Sequence, residues 1–430
     1  MSYKHQFKIS FFAVNLIIYI SIHLSPRRLG LLFFLDKKQK QKNQDWLRQP
    51  CNAAPTAHIP SHGYAPFHLV FNPLLHNNKI YTKNRNEKRN SKTYIIYILF
   101  VLITLLASWK APFTNPVKLK YPNTWPKPTY DFSKNPLTEE GIQLGRKLFY
   151  DPLLSKDNTI SCSSCHLSYT AFTHVDHKLS HGINDSIGNR NSLALMNLAW
   201  NKSFMWDGSA NHLDMQALAP ISDPKEMGSS IVEVVEKLQS SEDYPTLFNV
   251  AFGDTIITGT KVLKAMSQFQ LTLISSNSKY DKVMNKTDEE SFTDQEQNGY
   301  EIYTQHCASC HAEPLFSTGE FANNGLSIDQ TLHDIGRMTI TQNPSDSLSF
   351  KIPSLRNLKY SFPYMHDGRF SNLNEVINHY TEVIDPNGFV DSRLSRKISL
   401  TSNEKVDLVA FLLTLNDREF VFNKEFAFLR

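Results

Sequence analysis

Apolar residues recur at helical spacing in four segments of the chain, whereas strand-like alternation is scarce. The first segment begins near Thr138, with acidic residues at its start and basic residues near its end, as suits the helix dipole. Residues 229–241 and 258–276 form two more, and a capping box of Thr293 and Glu296 opens the fourth. Their apolar positions are Ile142, Leu144, Leu148, Phe149, Ile231, Val234, Val235, Leu238, Val262, Met266, Phe269, Leu273, Tyr300, Ile302 and Tyr303. The pattern predicts a mainly α fold.

A separate apolar run lies nearer the N-terminus, where residues 93–109 carry no charge and follow a basic stretch. This run predicts either a signal peptide or an uncleaved membrane anchor, and both alternatives stay open because no convincing cleavage site follows it. The charge pattern predicts that residues 1–92, basic and largely disordered, stay in the cytoplasm while the rest is exported. Because an export signal normally begins a chain, we expect the natural start to lie downstream of Met1.

Charge is distributed unevenly along the 430 residues, whose net charge is +4. Residues 1–92 hold 15 Lys and Arg against 3 Asp and Glu, whereas residues 93–430 hold 30 against 38. The basic excess therefore lies before the apolar run, which favours a topology signal over a nucleic-acid-binding surface, and we expect no nucleic-acid partner. With 41% apolar residues, the chain is long enough for two domains and additional segments.

Cysteine and histidine form one short motif twice. The first copy comprises Cys162, Cys165 and His166. The second copy, 145 positions further on, comprises Cys307, Cys310 and His311. Two thiols at this spacing can add across the vinyl groups of a haem, and the adjacent histidine can bind its iron as the proximal ligand. A zinc site of four cysteines or two disulfides would also use these thiols, but neither needs a histidine after each pair. The motifs therefore predict two covalently bound haem c groups, and Cys51 is left as an incidental free thiol.

Each motif follows a predicted helix, which indicates an internal duplication in architecture. Residues 110–137 contain six prolines and are expected to form an extended linker. We expect an N-terminal haem domain over residues 138–290 and a C-terminal haem domain over residues 291–430. The predicted fold class is thus mainly α, with two cytochrome c-like haem domains in tandem, preceded by the basic segment and the signal or anchor.

Residues 138–415 resemble the bacterial di-haem cytochrome c peroxidase family, which includes the methylamine-utilisation protein MauG. Besides the two motifs, the resemblance rests on Leu-Phe-Tyr-Asp-Pro (148–152), Arg-Asn-Ser (190–192), Trp-Asp-Gly (206–208), Lys-Glu-Met (225–227) and Pro-Tyr-Met-His-Asp-Gly-Arg-Phe (363–370). It implies hydrogen peroxide as substrate and a small electron-donor protein, a c-type cytochrome or a cupredoxin, as partner. A homodimer, a periplasmic location and anchorage to the inner membrane by residues 93–109 complete these expectations.

The resemblance also assigns roles around the first haem, which it makes the peroxidatic one. His181, 15 residues after His166, corresponds to the family's distal ligand, although His174, His177 and His212 are rivals on residue chemistry alone. Glu226 corresponds to the distal glutamate and Gln216 to the neighbouring amide. A carboxylate there can carry a proton from one peroxide oxygen to the other. Without the resemblance, Glu226 would be an exposed loop acid.

Two further roles connect the expected domains. Trp206 corresponds to the tryptophan between the two haems, an electron relay, and could equally be a core aromatic residue. Asn191, with the backbone carbonyls of Ser361 and Pro363, corresponds to the family's calcium site. Oxygen ligands suit this hard cation, but three are too few to establish the site without the family.

The second haem departs from the commonest pattern of the family. Its peroxidases usually place a methionine 14 residues after the histidine at position 366, and this chain has Tyr380 there, as MauG has. A phenolate ligand stabilises Fe(III) and lowers the potential relative to a thioether. Met365, Met338 and His379 are rival ligands, and Tyr380 could also be a packed core residue.

Three functions follow from these expectations. The first is reduction of hydrogen peroxide to water, with electrons that enter at the second haem and cross by way of Trp206. The second is a MauG-like enzyme, whose haems store oxidising equivalents in a high-valent state and oxidise a protein or another substrate at long range. The third is a di-haem electron carrier without catalysis. Tyr380 favours the second, a ligating His181 favours the first, and Glu226 with Gln216 argues against the third.

Overall fold

The computed structural model describes residues 96–100, 114–382 and 389–428, and all of them fall in one compact unit within residues 89–430. The predicted basic segment 1–92 and most of the predicted signal or anchor lie outside this part. Residues 96–100 are helical and exposed. None of the helices described is both long and apolar enough to cross a bilayer.

Helices dominate the described residues, as predicted. They are α1 (Glu139–Tyr150), α2 (Cys162–Cys165), α3 (Leu213–Gln216), α4 (Leu218–Ser222), α5 (Ile231–Gln239), α6 (Tyr244–Phe252), α7 (Gly259–Leu271), α8 (Lys279–Asn285), α9 (Asp294–His306), α10 (Met338–Thr341), α11 (Leu373–Glu382), α12 (Ser402–Thr414) and α13 (Arg418–Val421). Two short strands, β1 (Phe321–Ala322) and β2 (Phe350–Lys351), pair antiparallel. Six single turns of 3-10 helix connect the longer elements.

The four predicted helices correspond to α1, α5, α7 and α9. The Thr138 side chain accepts a hydrogen bond from the Gly141 amide at 3.0 Å, and Thr293 and Glu296 form the predicted capping box. The helix expected over residues 258–276 ends at Leu271, although Leu273 beyond it is fully buried. The end point differs because Thr272 already bonds back to the last turn, with its hydroxyl donating to the Phe269 carbonyl.

Each cysteine motif follows a helix that packs closely on a later helix. In the first region α1 packs on α7, and a Cβ at Gly145 would collide with the backbone carbonyl of Ala265. In the second region α9 packs on α12, and a Cβ at Gly299 would collide with the carbonyl of Asp407. The same use of glycine to bring two helix backbones together in both regions fits the duplication inferred from the sequence.

Two segments outside these helix pairs also pack on the core. The described part of the proline-rich segment contains several turns and packs on the core, with Trp125 buried edge-to-face on Trp200 at 5.1 Å between ring centroids. Residues 418–428 return to the first region, where the Arg146 guanidinium donates to the carbonyl of Ala427 and Phe420 joins a cluster with Phe172. The C-terminus therefore packs on the helix that precedes the first cysteine motif.

Candidate haem sites

The first motif forms a short helix, α2, that brings its imidazole beneath a cavity. The His166 amide donates to the Cys162 carbonyl at 2.9 Å, and Nδ1 of His166 lies 2.7 Å from the Phe172 carbonyl oxygen. Because a carbonyl oxygen only accepts, Nδ1 must carry the hydrogen, and Nε2 keeps its lone pair for a metal. Burial lowers the pKa of His166, which keeps the ring neutral and able to act as a ligand.

The second motif repeats this local geometry after α9. The His311 amide donates to the Cys307 carbonyl at 2.9 Å, and Nδ1 lies 3.0 Å from the Pro353 carbonyl oxygen. Burial lowers the pKa of His311 to about 4. The same tautomer is therefore fixed at both sites, since a backbone carbonyl accepts from Nδ1 and leaves Nε2 free to bind iron.

The four motif cysteines are all free thiols, so the two-disulfide alternative is wrong. Burial raises the pKa of Cys162 and of Cys307 to about 12, which keeps both thiols protonated until they react. Over residues 96–100, 114–382 and 389–428, no cluster of three His, Cys, Asp or Glu side chains is arranged to hold a metal ion, so the zinc alternative fails as well. Uncharged thiols beside a neutral imidazole are the groups that covalent haem attachment uses.

Each motif faces its own large cavity. The first-site cavity contains Cys165 and His166 among its lining residues and has about 1510 Å³ of free space, its open mouth included. The second-site cavity contains Cys307, Cys310 and His311 and has about 1650 Å³ on the same measure. Both are lined mainly by apolar side chains, as a macrocycle requires. The residues present therefore fit a covalently bound haem at each site.

A half-buried acid, Glu226, lines the first-site cavity. Glu226 follows α4 in a tight loop, where its backbone carbonyl accepts a hydrogen bond from Ile183 at 2.8 Å. Burial, with a smaller contribution from Asp223, raises the pKa of the Glu226 carboxyl to about 7. Gln216 lines the same cavity and donates to the Met205 sulfur at 3.4 Å. This carboxyl group can therefore both accept and release a proton near neutral pH.

His181 is not among the residues that line this cavity. Its Nδ1 lies 3.0 Å from Asp185, its side chain is 30% exposed, and its carbonyl accepts from the Cys165 thiol at 3.6 Å. The ring of the rival His177 lies tilted by 33° against that of His181, with centroids 4.3 Å apart, and His174 stacks on His177 at 5.1 Å. The fourth histidine, His212, caps α3 instead. A distal role for His181 stays a prediction.

Trp206 lies between the two cavities and lines both. It is 8% exposed, and its indole nitrogen donates to the Asn191 carbonyl at 2.8 Å. Its ring meets the ring of His366 edge-on at 6.4 Å between centroids. Trp206 is thus a core aromatic residue, and its position is also the one that a relay between the two sites would need.

The second-site cavity contains two of the four side chains considered as its second ligand. Tyr380 and Met365 both line it, and the Asn324 side-chain nitrogen lies 3.5 Å from the hydroxyl of the first and 3.5 Å from the sulfur of the second. Burial raises the pKa of Tyr380 to about 12. His379 instead bonds to the Asn324 carbonyl at 2.9 Å, and Met338 lies outside the lining. The geometry narrows the candidates to a phenol and a thioether.

The three residues expected to bind calcium all line the second-site cavity. Asn191 donates its side-chain nitrogen to the Lys178 carbonyl at 2.9 Å, which leaves its side-chain oxygen as an acceptor. Ser361 and Pro363 lie on one loop, which precedes α11.

Sequence reasoning missed two residues that line these cavities. Asn324 connects both candidate ligands of the second site, and Lys351 lines both cavities with no carboxylate partner in the part of the chain that the structure describes. Neither belongs to a stretch that carried the resemblance. The only sequence signal for Lys351 is a lysine between two apolar residues, Phe350 and Ile352, where the alternation places it on the opposite face of a short strand.

Comparisons with known proteins agree with this geometry. The family model described as di-haem cytochrome c peroxidase matches residues 139–289. The methylamine utilization protein MauG of Methylophilus methylotrophus is 32% identical over 341 residues, 75% of this chain and 95% of its own length. The cytochrome c551 peroxidase of Nitrosomonas europaea is 32% identical over 65% of this chain and 81% of its own.

A solved structure extends the likeness to the fold. The crystal structure of a MauG-like protein associated with microbial copper homeostasis superposes with a TM-score of 0.64 at 33% identity and covers 72% of this chain and 99% of that one. The relatives are peroxidases and MauG proteins alike, at nearly equal identity. The chain belongs to the di-haem cytochrome c peroxidase and MauG family, and it is an oxidoreductase of the peroxidase type.

Proposed function

We propose that this protein reduces hydrogen peroxide to water at the first site, with electrons from a small c-type cytochrome or cupredoxin that arrive at the second site. The observation that carries the proposal is the contrast between the cavities. The first contains Glu226, a carboxyl group with a pKa near 7, whereas the second contains Tyr380 and Met365, which can act as ligands. Reduction of one peroxide takes two electrons from the donor and two protons, and yields two waters.

The cysteine pairs would hold two haem c groups, and His166 and His311 would bind their irons through Nε2. When bound, the haems supply the redox-active iron that exchanges electrons with peroxide and donor. The chain supplies the proton chemistry. Glu226 in its carboxylate form accepts a proton from the inner peroxide oxygen and returns it to the outer one, which then leaves as water. Gln216 orients the peroxide by hydrogen bonding.

Trp206 would carry electrons between the two sites, since it lines both cavities. We assign His181 as a ligand that leaves the first site on activation, which requires its ring to turn from Asp185 towards the cavity. We also propose a calcium ion held by the Asn191 side-chain oxygen and the carbonyls of Ser361 and Pro363, all three beside the second-site cavity. Covalent haem attachment and the usual location of proteins of this family favour a periplasmic location.

The test uses full-length protein matured in a host with c-type assembly machinery. We expect two covalent haems per chain and peroxide-dependent oxidation of a reduced c-type cytochrome. Glu226→Gln should abolish most of this turnover, and Glu236→Gln, at an exposed position of α5, serves as the matched control. Absence of haem after staining a denaturing gel would contradict the proposal. Two haems without peroxide turnover would instead support an electron carrier.

One observation favours a second candidate, a MauG-like enzyme that oxidises a protein or another substrate. Tyr380 lines the second-site cavity where many peroxidases of the family have methionine, and two of the similar proteins are MauG proteins, at 32% and 33% identity. Such an enzyme would react with peroxide yet accept electrons from a cytochrome poorly. The potential of the second haem in Tyr380→Met, compared with the wild type, separates the two functions.

A further inference from the structure

Lys351 is a buried cation between the two cavities. It lies on β2, is 6% exposed, and lines both the first-site and the second-site cavity. Its backbone amide donates to the Trp206 carbonyl at 2.7 Å, which fixes the strand to the tryptophan between the sites. The lysine backbone is thus held firmly at the contact of the two haem-binding regions.

The ammonium group of Lys351 has no acidic partner within the described residues, where no carboxylate oxygen lies within 4 Å of it. Its one hydrogen bond goes to the Ser203 carbonyl, and its nitrogen lies 5.7 Å from the centre of the Phe204 ring. By contrast, the half-buried guanidinium group of Arg190 and the fully buried one of Arg356 each meet carboxylates. Burial lowers the pKa of Lys351 to about 8, so the ammonium group stays mainly charged at neutral pH, and an anionic partner would stabilise it.

The position of the ammonium group indicates where that anion would come from. Phe204, beneath the nitrogen, lines the first-site cavity and not the second. A haem carries carboxylate side chains at one edge, and no described Asp or Glu fills the role. We propose that Lys351 is the charge partner of a carboxylate of the haem attached at Cys162 and Cys165, and that it thereby raises the potential of the first site relative to the second. This inference rests on the proposed function.

The expected consequence is electrostatic. A fixed positive charge near a haem favours the reduced iron, which carries one positive charge fewer. Replacement of Lys351 by methionine keeps much of the apolar stem but removes this charge. The Fe(II) to Fe(III) ratio of the first haem at a fixed potential should then fall about tenfold, equivalent to 59 mV for a one-electron couple.

Redox titration of the holoenzyme tests the inference, with each haem followed by its own electron paramagnetic resonance signal. We expect Lys351→Met to lower the first potential, Lys351→Arg to restore at least half of the shift, and the second haem to move less than about threefold in the same ratio. Lys351→Gln serves as a second uncharged variant if Lys351→Met does not mature.

Each outcome of the titration either supports or refutes the pairing of Lys351 with a haem carboxylate. If wild-type protein holds no haem, the proposed function itself fails. If both haems are present but the first potential is unchanged in both uncharged variants, the pairing is refuted while the function stands. A shift confined to the second haem refutes the assignment to the first site. Failure of Lys351→Arg to restore the potential would mean that Lys351 acts by packing, which also refutes the pairing.

Discussion

The two cysteine motifs hold their histidines in the same way, but the cavities that they face contain different functional side chains. At both, a neutral histidine is held by a backbone carbonyl through Nδ1, at 2.7 Å for His166 and 3.0 Å for His311. Among its other lining residues, the first-site cavity contains an acid, Glu226, whereas the second contains Tyr380 and Met365. A duplicated scaffold can thus keep its means of attachment and take on two chemical tasks, because the tasks depend on the other side chains that line each cavity.

Removal of one attachment site at a time should have the largest effect. We expect Cys162→Ser with Cys165→Ser, and Cys307→Ser with Cys310→Ser, each to leave one covalent haem and to abolish cytochrome-driven peroxide turnover, because the two sites act in series. Haem is counted on denatured protein and turnover is followed by cytochrome oxidation. Wild-type turnover in the second double variant would show that electrons need not enter at the second site.

Glu226→Gln should have the second-largest effect on peroxide turnover. The amide keeps the shape and hydrogen-bonding capacity of the carboxyl group but cannot carry the proton, so peroxide turnover should fall on the order of 10²–10⁴-fold. Steady-state kinetics against Glu236→Gln measure the difference. A loss below about threefold would remove Glu226 from the acid–base role.

The pH dependence of turnover further tests the role of Glu226 in the first site. Burial raises the pKa of Glu226 to about 7, and the carboxylate is the form that accepts the peroxide proton. Turnover of the wild type should therefore fall as the pH drops through about 7, and the residual activity of Glu226→Gln should lack this limb. An identical acid limb in both proteins would assign it to another group.

The regions also differ in how they hold a buried arginine. Arg356, fully buried, makes a bidentate ion pair with Asp281, at 2.7 and 2.8 Å, whereas Arg146 donates to backbone carbonyls of the C-terminal segment. Arg356→Met leaves a buried carboxylate unpaired and should cost about 3–5 kcal/mol. Arg146→Met leaves neutral carbonyls and should cost about 1.5–3 kcal/mol.

Urea unfolding of the holoproteins measures these costs, and Lys147→Met, at the exposed pair with Asp243, should change the stability by about 0–1 kcal/mol. Equal losses for Arg146→Met and Arg356→Met would show that the charge of Asp281 is not what makes the second region sensitive.

Much of this architecture follows from the sequence because it depends on local rules. The spacing of the cysteine motif fixes the turn that brings His166 back to the Cys162 carbonyl, and a capping box specifies the start of α9 at Asp294. Helical periodicity identified buried positions of α5 and α7, among them Val234, Leu238 and Met266, although α7 buries most of its surface and not one face alone.

The rest depends on contacts between distant segments, which no local pattern encodes. Lys351 reaches the first region only because β2 lies against Trp206, 145 positions earlier in the chain. The return of Phe420 to the first core is likewise a contact between the two ends of the described chain. The raised pKa of Glu226 comes from burial in a loop that the sequence alone would leave exposed.

The smallest expected effect, a shift in one potential, decides between the two candidate functions. Tyr380 and Met365 are alternative second ligands of the second haem, since the Tyr380 hydroxyl and the Met365 sulfur both lie 3.5 Å from the Asn324 side-chain nitrogen. If the phenolate is the ligand, Tyr380→Met should raise the second-haem potential, because a thioether favours Fe(II). The rise should be on the order of 0.1 V, well within the roughly 0.8 V that axial ligands control. Met365→Leu should then leave the potential unchanged.

The opposite pattern, a drop in Met365→Leu and no change in Tyr380→Phe, would make the thioether the ligand and Tyr380 a packed side chain. The tyrosine is neutral in the protein alone, since burial raises its pKa to about 12, so only a cation in the cavity can hold it as phenolate. A low-potential second site accepts electrons poorly from a cytochrome but retains oxidising equivalents, as a MauG-like enzyme needs. Redox titration and donor-driven turnover of the three variants therefore assign the function together. A rise in potential with a gain in cytochrome oxidation for Tyr380→Met supports the MauG-like enzyme. No change in the potential or in the cytochrome oxidation supports the peroxidase function alone.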